Sequence, residues 1–380
     1  MTDPVELAQI LIRAPSPNPP GDERAVADAV EELARGLGLP APQRVALDAR
    51  RPNLLIERDF GPGGRHLVLS GHMDTKPVGD ADWTVDPFGA ELDGDRLYGL
   101  GSADMKAALA AMLTAAASLE LEAGRVTLLF TADEEDGAAF GARHVAEHVH
   151  LAADGVVIGE PGGIEEDFDR LHLVSRGIAR LRLVAMGRQG HSSLADELGM
   201  PSAGVDAARA VVAVEDGLAL DEPADEHGLA GWGVTVNTGL AYRGGVGFGV
   251  LPGRMAVDTE VRLLPNMDRG DVQTALENAV DGVAVEWDAP PTDWLPATMV
   301  DPEDPLALAA ATACRTALGR EPVAAVFPGT TDATFFREPT LPALGPGLLR
   351  RAHAADEWVS ADAVRRSVAL YGELARGFCA

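Results

Sequence analysis

The sequence predicts an α/β fold in which a discontinuous domain with a mostly parallel central sheet is interrupted by an inserted α+β domain. Short apolar runs alternate with helical patterns in the first half of the chain, and alternating strand patterns dominate the middle. Helices alternate with strands again near the end. The length of 380 residues also exceeds the size at which one hydrophobic core stops growing, about 250 to 300 residues, so two domains are expected.

Four apolar runs in the first part of the chain predict strands, namely NLLIER, HLVLSGH, VTLLFTADEE and GVVIGEP. Between the second and third, ADMKAALAAMLTAAASLELEA is rich in alanine and lacks proline and glycine, which predicts a helix of about four turns. Between the third and fourth, AAFGARHVAEHVHLAA predicts another helix. This alternation is typical of a parallel sheet with helices on its faces, and we assign residues 1–175 to it.

After Glu160 the pattern changes to alternating strands interrupted by two helices. Strands are predicted over LHLVSRGIARLRLVAMG, GWGVTVNTGLAYRGG and PGRMAVDTEVRLLP, and helices over SAGVDAARAVVAVEDG and RGDVQTALENAV. The order strand, helix, strand, strand, helix, strand predicts an α+β domain over residues 176–288. The proline-rich segment DAPPTDWLP predicts a linker back to the first domain, whose second part is 289–380.

Composition excludes several classes of partner. No apolar run approaches the roughly 18 residues that a membrane span needs, and the formal net charge of −28 repels nucleic acid and anionic lipid. The N-terminus lacks the basic region and long apolar run of a secretory signal, so we expect a cytoplasmic protein. Cys314 and Cys379 are the only cysteines, which predicts neither a disulfide framework nor a thiolate metal site.

Polar side chains follow the apolar runs at the points where parallel strands would end. His72 and Asp74 follow HLVLSG, the acidic cluster at 133–136 follows VTLLFTA, and Glu160 follows GVVIG. Ligands of open α/β sheets bind beyond the carboxyl ends of the strands, so we expect these groups to line one crevice.

Asp104, before the alanine-rich helix, and His353, after LPALGPG, can reach the same crevice. Two imidazoles and three carboxylates without a thiolate suit two Zn²⁺ ions that share one bridging carboxylate. Because Glu134 and Glu135 are neighbours and point in different directions, one can bind metal while the other acts as general base. Asp74, two residues beyond His72, is placed to accept the second ring N–H of that histidine and fix its tautomer.

Three segments carry a resemblance to a known family: SGHMDTKPVGDADWTVDPFGAELDGDRLYGLGSADMKAALAAML, TADEEDGAAFGA and IGEP. They resemble the di-zinc M20 metallopeptidase family, which includes acetylornithine deacetylase, succinyl-diaminopimelate desuccinylase, aminoacylase and glutamate carboxypeptidase. The resemblance implies two zinc sites, one formed by His72, Asp104 and Glu160 and the other by Asp104, Glu135 and His353. It also implies Glu134 as the base, a cis peptide bond after Asp104, and Co²⁺ or Mn²⁺ as substitutes for zinc.

The inserted segment resembles the lid and dimerisation domain of the same family, whose motif GxxGHSS is present here as GRQGHSS. This likeness implies a homodimer in which His191 reaches the partner's site and stabilises the oxyanion of the tetrahedral intermediate. Arg262 and the loop GTTD match positions that bind the substrate carboxylate. The implied loop contacts are Gly329, Thr330 and Thr331.

These features together predict a zinc-dependent amidohydrolase that cleaves the N-acyl bond of an amino acid or of a similar small amide. A di-zinc carboxypeptidase or dipeptidase is the alternative enzyme, and a catalytically silent binding protein is the alternative outside enzymes. Deacylases of the family tend to carry glutamate at the position of Glu160 where peptidases carry aspartate, and this favours deacylation.

A rival metal motif is present in HVAEH, His144 to His148, which fits the H-x-x-E-H pattern of inverted zincins. Ala142, Val145 and Val149 form an apolar stripe on the same predicted helix, which places both histidines on the opposite, solvent-facing side. We therefore do not expect a zinc site at this motif.

Overall fold

The computed structural model describes residues 2–288 and 294–380, and the chain divides into two compact units. The first unit comprises Met1–Ser175, Met299–Phe327 and Thr331–Ala380, and the second comprises Arg176–Thr298 and Pro328–Thr330. The predicted linker DAPPTDWLP covers residues 288–296, and its part 289–293 lies outside the described residues. The predicted boundary after residue 288 lies at the start of that gap, and Trp294–Leu295, beyond it, form a short strand. The roles predicted for the two domains, catalysis and closure or dimerisation, stay predictions.

The helices of the described chain are α1 (Pro4–Ile12), α2 (Arg24–Gly36), α3 (Ala107–Ser118), α4 (Ala142–His148), α5 (Ala203–Gly217), α6 (Arg269–Ala279), α7 (Pro305–Ala313) and α8 (Ala361–Cys379). The strands before the second unit are β1 (Gln43–Val45), β2 (Asn53–Asp59), β3 (His66–His72), β4 (Leu92–Asp93), β5 (Arg96–Tyr98), β6 (Arg125–Thr131), β7 (Gly155–Ile158), β8 (Pro161–Gly163) and β9 (Arg170–Ser175).

The second unit contains the strands β10 (Gly177–Met186), β11 (Gly190–His191), β12 (Thr235–Gly244), β13 (Val250–Leu251), β14 (Arg254–Leu263), β15 (Val285–Asp288) and β16 (Trp294–Leu295). The remaining strands are β17 (Thr298–Met299), β18 (Val323–Phe327), β19 (Thr340–Leu341), β20 (Gly345–Leu348) and β21 (Trp358–Ser360).

The first unit is built on a six-stranded sheet with the order β1-β2-β6-β3-β7-β19. Strands β6, β3, β7 and β19 run parallel, while β1 and β2 add an antiparallel edge. Every residue of β3 is buried, because α4 covers one face of the sheet and α3 and α8 contact the other. The predicted α/β class with a mostly parallel central sheet is confirmed.

Helix α3 lies in the interior of the first unit. Its alanines are buried, and the helix packs against α1 and α8, which small side chains permit at short distance. The sequence predicts a helical start four residues earlier than the observed start at Ala107. Asp104 and Met105 have non-helical backbone angles and a cis peptide bond joins them, so this short segment is a separate turn.

The second unit contains an antiparallel sheet with the order β12-β14-β10-β15, and β16 also pairs with β10. Buried residues of α5 at helical spacing pack into the same core as the inward side chains of β10 and β14. The observed order of elements agrees with the predicted strand, helix, strand, strand, helix, strand. In the described chain, β12 forms an outer edge of this sheet.

Two further observations concern membrane spans and cysteines. No helix within 2–288 or 294–380 combines the length and the apolar character needed to cross a membrane. Cys314 and Cys379 are both buried free thiols.

Candidate metal centre

The carboxyl ends of three parallel strands meet at one edge of the central sheet. His72, the last residue of β3, is in register with Thr131, the last residue of β6. Ser70 of β3 is in register with Ile158, the last residue of β7, and Glu160 follows two residues later. The turn that carries Glu134 begins three residues after β6 ends. The sheet therefore brings together side chains that lie far apart in the sequence.

The His72 imidazole contacts two of the predicted metal ligands. Its Nε2 lies 2.9 Å from Asp104 Oδ1 and 3.4 Å from Glu160 Oε1. Its Nδ1 lies 3.0 Å from the main-chain oxygen of Asp74, which can only accept, so Nδ1 carries a proton and donates. The Asp74 carboxylate lies farther away, at 3.6 Å. Ionised Asp104 also only accepts, so Nε2 donates to it in the metal-free centre. Loss of the Nε2 proton would free the Nε2 lone pair for a cation, while the Asp74 main-chain oxygen keeps Nδ1 protonated.

Asp104 also contacts the second histidine, through its other oxygen. His353 Nε2 lies 3.3 Å from Asp104 Oδ2 and 3.2 Å from Glu135 Oε1. Asp104 thus stands between His72 and His353, with one carboxylate oxygen toward each. This is the arrangement expected of a carboxylate that bridges two cations.

The position of Asp104 depends on its neighbours in sequence and on a distant acid. Gly71 leaves room for Met105, because an added Cβ would lie 2.3 Å from the Met105 Cε. Buried Glu357 accepts the backbone N–H groups of Gly101 at 3.1 Å, Ala103 at 2.8 Å and Asp104 at 3.1 Å. Sequence reasoning missed Glu357, which follows no apolar run that ends at the crevice.

The turn that carries the two glutamates is fixed by buried polar side chains. The Asp74 carboxylate accepts the backbone N–H groups of Glu134 at 3.2 Å and Glu135 at 3.1 Å. Asp133 has a left-handed backbone with φ of 64°, which is uncommon for a residue other than glycine and recurs at functional sites. Its carboxylate accepts a hydrogen bond from Arg51 Nη2 at 2.8 Å. Asp133 thus stabilises the turn, and it is not one of the predicted metal ligands.

The electrostatics of the metal-free centre reflect crowded acids in a buried site. Burial raises the pKa of Glu134 well above its ordinary value, and the negative charge of Glu160 raises it further. Burial also opposes ionisation of Asp104, but hydrogen bonds from His353 and His72 outweigh it and lower the Asp104 pKa. Hydrogen bonds to Asp104 and Glu135 raise the pKa of His353 to about 10. A cation would relieve the repulsion between these carboxylates.

The donor set suits divalent cations. Ligand atoms of His72, Asp104 and Glu135 lie within 4.8 Å of one another, and so do those of His72, Glu134 and Glu160. Imidazole nitrogen and carboxylate oxygen without thiolate are typical ligands of hydrolytic zinc sites. The ammonium of Lys76 lies 3.2 Å from Glu135 Oε2, so one positive charge pairs with a carboxylate of the centre in the metal-free protein.

Comparison with known proteins identifies the family. Residues 68–377 match the peptidase family M20/M25/M40. The chain belongs to this family. A succinyl-diaminopimelate desuccinylase of Parvibaculum lavamentivorans is 30% identical over 394 residues, which cover 100% of this chain and 96% of the relative. The succinyl-diaminopimelate desuccinylase of Sphingopyxis alaskensis is 37% identical over 195 residues. This match covers 50% of this chain and 51% of the relative, so the chain spans about half the length of that relative.

A solved structure has the same fold. The M20 family metallo-carboxypeptidase Sso-CP2 from Sulfolobus solfataricus gives a TM-score of 0.79 at 19% identity and covers 100% of this chain and 99% of its own. Membership of the M20 family makes the chain a metal-dependent hydrolase of amide or peptide bonds. The predicted family and enzyme class are confirmed.

The substrate contacts predicted for this M20 chain are divided between the two units. In the second unit, Arg262 donates to Thr330 Oγ1 at 3.3 Å and also pairs with Glu260 at 3.1 Å. Gly329 belongs to the same short segment as Thr330. In the first unit, the Thr331 N–H donates to Ser175 Oγ at 3.2 Å.

His191 ends β11 in the second unit and is exposed to solvent. Its Nδ1 accepts a hydrogen bond from the Ser193 backbone N–H at 3.3 Å and lies 2.8 Å from Ser193 Oγ. Because a backbone N–H can only donate, Nδ1 is the accepting nitrogen and Nε2 carries the ring proton. The ring can therefore offer an Nε2–H donor to a ligand, as an oxyanion contact requires.

Proposed function

We propose that this M20 family chain is a zinc-dependent deacylase that hydrolyses the N-acyl amide bond of an amino acid or of a similar small amide. The observation that carries this proposal is the position of Glu134 beside Glu160 and His72, on the same turn as Glu135. Glu134 is not one of the five proposed metal ligands, so its carboxylate is available for proton transfer. The desuccinylase relatives support an acylated amino acid as substrate.

The proposed ligands are those that lie around Asp104. We assign His72, Asp104 and Glu160 to one Zn²⁺, and Asp104, Glu135 and His353 to the other. When bound, the two ions supply Lewis-acid polarisation of the scissile carbonyl and lower the pKa of water toward about 7. Asp74 contributes by holding the His72 tautomer through its main-chain oxygen and the glutamate turn through its carboxylate.

Glu134 is the proposed general base. It takes a proton from the attacking water, and the same carboxyl group returns the proton to the leaving amine nitrogen. A base works best when its pKa lies near the working pH. Burial raises the pKa of Glu134 in the metal-free centre, and nearby cations would lower it again. Arg262, Gly329, Thr330 and Thr331 are proposed to bind the carboxylate of the substrate.

Glu134→Gln tests the proposal because it keeps the size of the side chain and removes the base. We expect kcat to fall by about 10² to 10⁴ while two zinc ions per chain remain bound. Glu147→Gln, an exposed glutamate of α4, is the matched control and should leave kcat unchanged. Unchanged turnover in Glu134→Gln would remove Glu134 from the mechanism.

A substrate panel separates the deacylase from the peptidase alternative. Succinyl-diaminopimelate, N-acetyl amino acids and dipeptides should be compared with the zinc-loaded protein. We expect the N-acyl compounds to be hydrolysed with higher kcat/KM than the dipeptides. Hydrolysis of dipeptides alone would replace the deacylase assignment with a dipeptidase, and turnover of none of the three classes with two ions bound would favour a binding protein.

We also propose a homodimer formed through the second unit. Strand β12 is an outer edge of its sheet and exposes Leu240 and Tyr242, which suits pairing with a second copy. In such a dimer His191 is proposed to stabilise the oxyanion in the partner's site. Light scattering should give twice the chain mass of 39.7 kDa, and a strict monomer would separate His191 from catalysis. The cytoplasmic location stays a prediction.

A further inference from the structure

Asn18 joins the two carboxylates that flank the glutamate turn. Its Nδ2 donates to Asp74 Oδ2 at 2.8 Å and to Asp133 Oδ1 at 3.0 Å. Both acceptors are carboxylates, so only the NH₂ end of the amide can face them, and the orientation of Asn18 follows from the chemistry. Each of its two amide hydrogens therefore has its own carboxylate.

Arg51 supports the same arrangement through the same oxygen of Asp133. It donates through Nη2 to Asp133 Oδ1 at 2.8 Å and through Nε to Glu23 Oε2 at 2.7 Å. All of these side chains are buried, with Asn18 at 0% and Arg51 at 5% exposure. The guanidinium thus supplies the buried positive charge that balances the acids around the turn.

The two carboxylates hold the turn at several points. Asp74 accepts the backbone N–H groups of Glu134 and Glu135, and Asp133 accepts that of Phe140 at 3.1 Å. A displacement of either carboxylate would therefore move the peptide group that carries Glu134. Asn18 is the group that bonds to both of them.

Asn18 is a poor choice for stability alone. Its Oδ1 is buried and has no hydrogen-bond partner among the described residues, and an unpaired buried polar atom is unfavourable. A residue that served only to fill this space would not need a buried amide. The amide is explained by the hydrogen bonds that it donates to the carboxylates of Asp74 and Asp133.

We infer that Asn18 is a positioning residue for Glu134 and Glu135, and that Arg51 reinforces it through Asp133. This inference rests on the proposed function, which assigns Glu134 as the base and Glu135 as a metal ligand. Asn18 touches neither substrate nor the proposed ions, and it acts through the carboxylates of Asp74 and Asp133.

Asn18→Leu is the direct test, because leucine has the same branching at Cγ as asparagine and no donor. Without the amide, the two carboxylates lose their shared donor and repel each other, which shifts the turn. We expect kcat to fall by about 10- to 100-fold. We also expect the affinity for Zn²⁺, measured by competition with a chelator, to fall by at least about 10-fold, because Glu135 lies on the same turn.

His66→Leu is the matched control. His66 is buried at the opposite end of β3, and its ring contacts Thr127 Oγ1 at 2.8 Å and the Ala152 main-chain oxygen at 3.2 Å. Removal of these two contacts should lower the unfolding temperature and leave kcat and Zn²⁺ affinity unchanged. If Asn18→Leu also lowers only the unfolding temperature, its role is structural and the inference is overturned.

A second variant covers the case in which Asn18→Leu does not fold. Arg51→Lys keeps the positive charge, but an ammonium cannot reproduce the planar fork that reaches Glu23 and Asp133 together. We expect kcat and Zn²⁺ affinity to fall in the same direction as for Asn18→Leu, and unchanged values would overturn the inference. Should the wild-type protein hydrolyse no N-acyl amide, the proposed function fails, while the Zn²⁺ affinities still decide the role of Asn18.

Discussion

Glu357 accepts the backbone N–H of Asp104 at 3.1 Å, across 253 residues of sequence. The same carboxylate accepts the N–H groups of Gly101 and Ala103, so three backbone donors of one loop converge on one acid. This loop presents Asp104 between His72 and His353. A side chain that contacts no proposed ion therefore fixes the backbone of the proposed bridging ligand.

Replacement of Glu357 by glutamine should weaken metal binding. A glutamine has one accepting oxygen, so at least one of the three N–H groups would face an NH₂ group instead of an acceptor. We expect Glu357→Gln to lower Zn²⁺ affinity by about 10- to 100-fold in a chelator competition. Glu373→Gln, on the solvent side of α8, is the control. Equal affinities of the two variants would exclude this role for Glu357.

The bridging position of Asp104 predicts unequal losses of metal in two ligand variants. Asp104→Asn removes a charge that both proposed sites share, so we expect both ions to be lost on dialysis. His353→Ala removes a ligand of one site, so we expect one ion per chain to remain. Metal analysis by emission spectroscopy measures both results. Two tightly held ions in Asp104→Asn would show that this carboxylate does not bridge.

Zinc uptake should release protons and strengthen as the pH rises. Hydrogen bonds to Asp104 and Glu135 raise the pKa of His353 to about 10, so the metal-free ring is protonated near neutral pH. Zinc needs the neutral ring, and the proton must leave when the ion binds. Calorimetric titration in two buffers of different ionisation enthalpy measures this release. Identical heats in both buffers would contradict a protonated His353.

The raised pKa of His353 also predicts how the stability of the metal-free protein changes with pH. The His353 pKa rises from an ordinary 6.5 to about 10 on folding, so its contribution is fully present below pH 6.5 and is lost as the pH rises toward 10. The raised pKa of Glu134 acts in the same direction, because its ionisation is disfavoured in the folded state. Metal-free protein should therefore unfold at lower temperature at pH 9 than at pH 6. A higher unfolding temperature at pH 9 would contradict these shifts.

The sequence predicts the parts of the site that follow a local pattern. His72 and Glu160 stand just beyond buried apolar runs, and parallel strands place such exits at one edge of a sheet. The supporting residues follow no such pattern. Asn18 lies 56 residues from Asp74 and 115 from Asp133, and their pairing depends on the folded position of the N-terminal segment. The early start predicted for α3 is wrong for a related reason, since alanine propensity does not reveal the turn at Asp104.

The HVAEH motif provides a last test, because we expect its two histidines to bind no zinc and their replacement to leave activity unchanged. In α4 the apolar residues Ala142 and Val145 are buried against the sheet, while His148 is exposed. His148 Nδ1 lies 2.9 Å from the main-chain oxygen of His144, and the two ring centroids lie 4.4 Å apart with the ring planes tilted by 33°. Within the part of the chain that the structure describes, neither ring joins a group of three metal-ligating side chains.

A double variant, His144→Ala with His148→Ala, should therefore keep both ions and full turnover. Alanine favours the helix, and these rings contribute little buried surface, so we expect no more than a small change in unfolding temperature. Metal analysis and the kcat for an N-acyl amino acid measure the outcome. Loss of one ion per chain in the double variant would place a zinc site on α4 and displace one of the two sites proposed around Asp104.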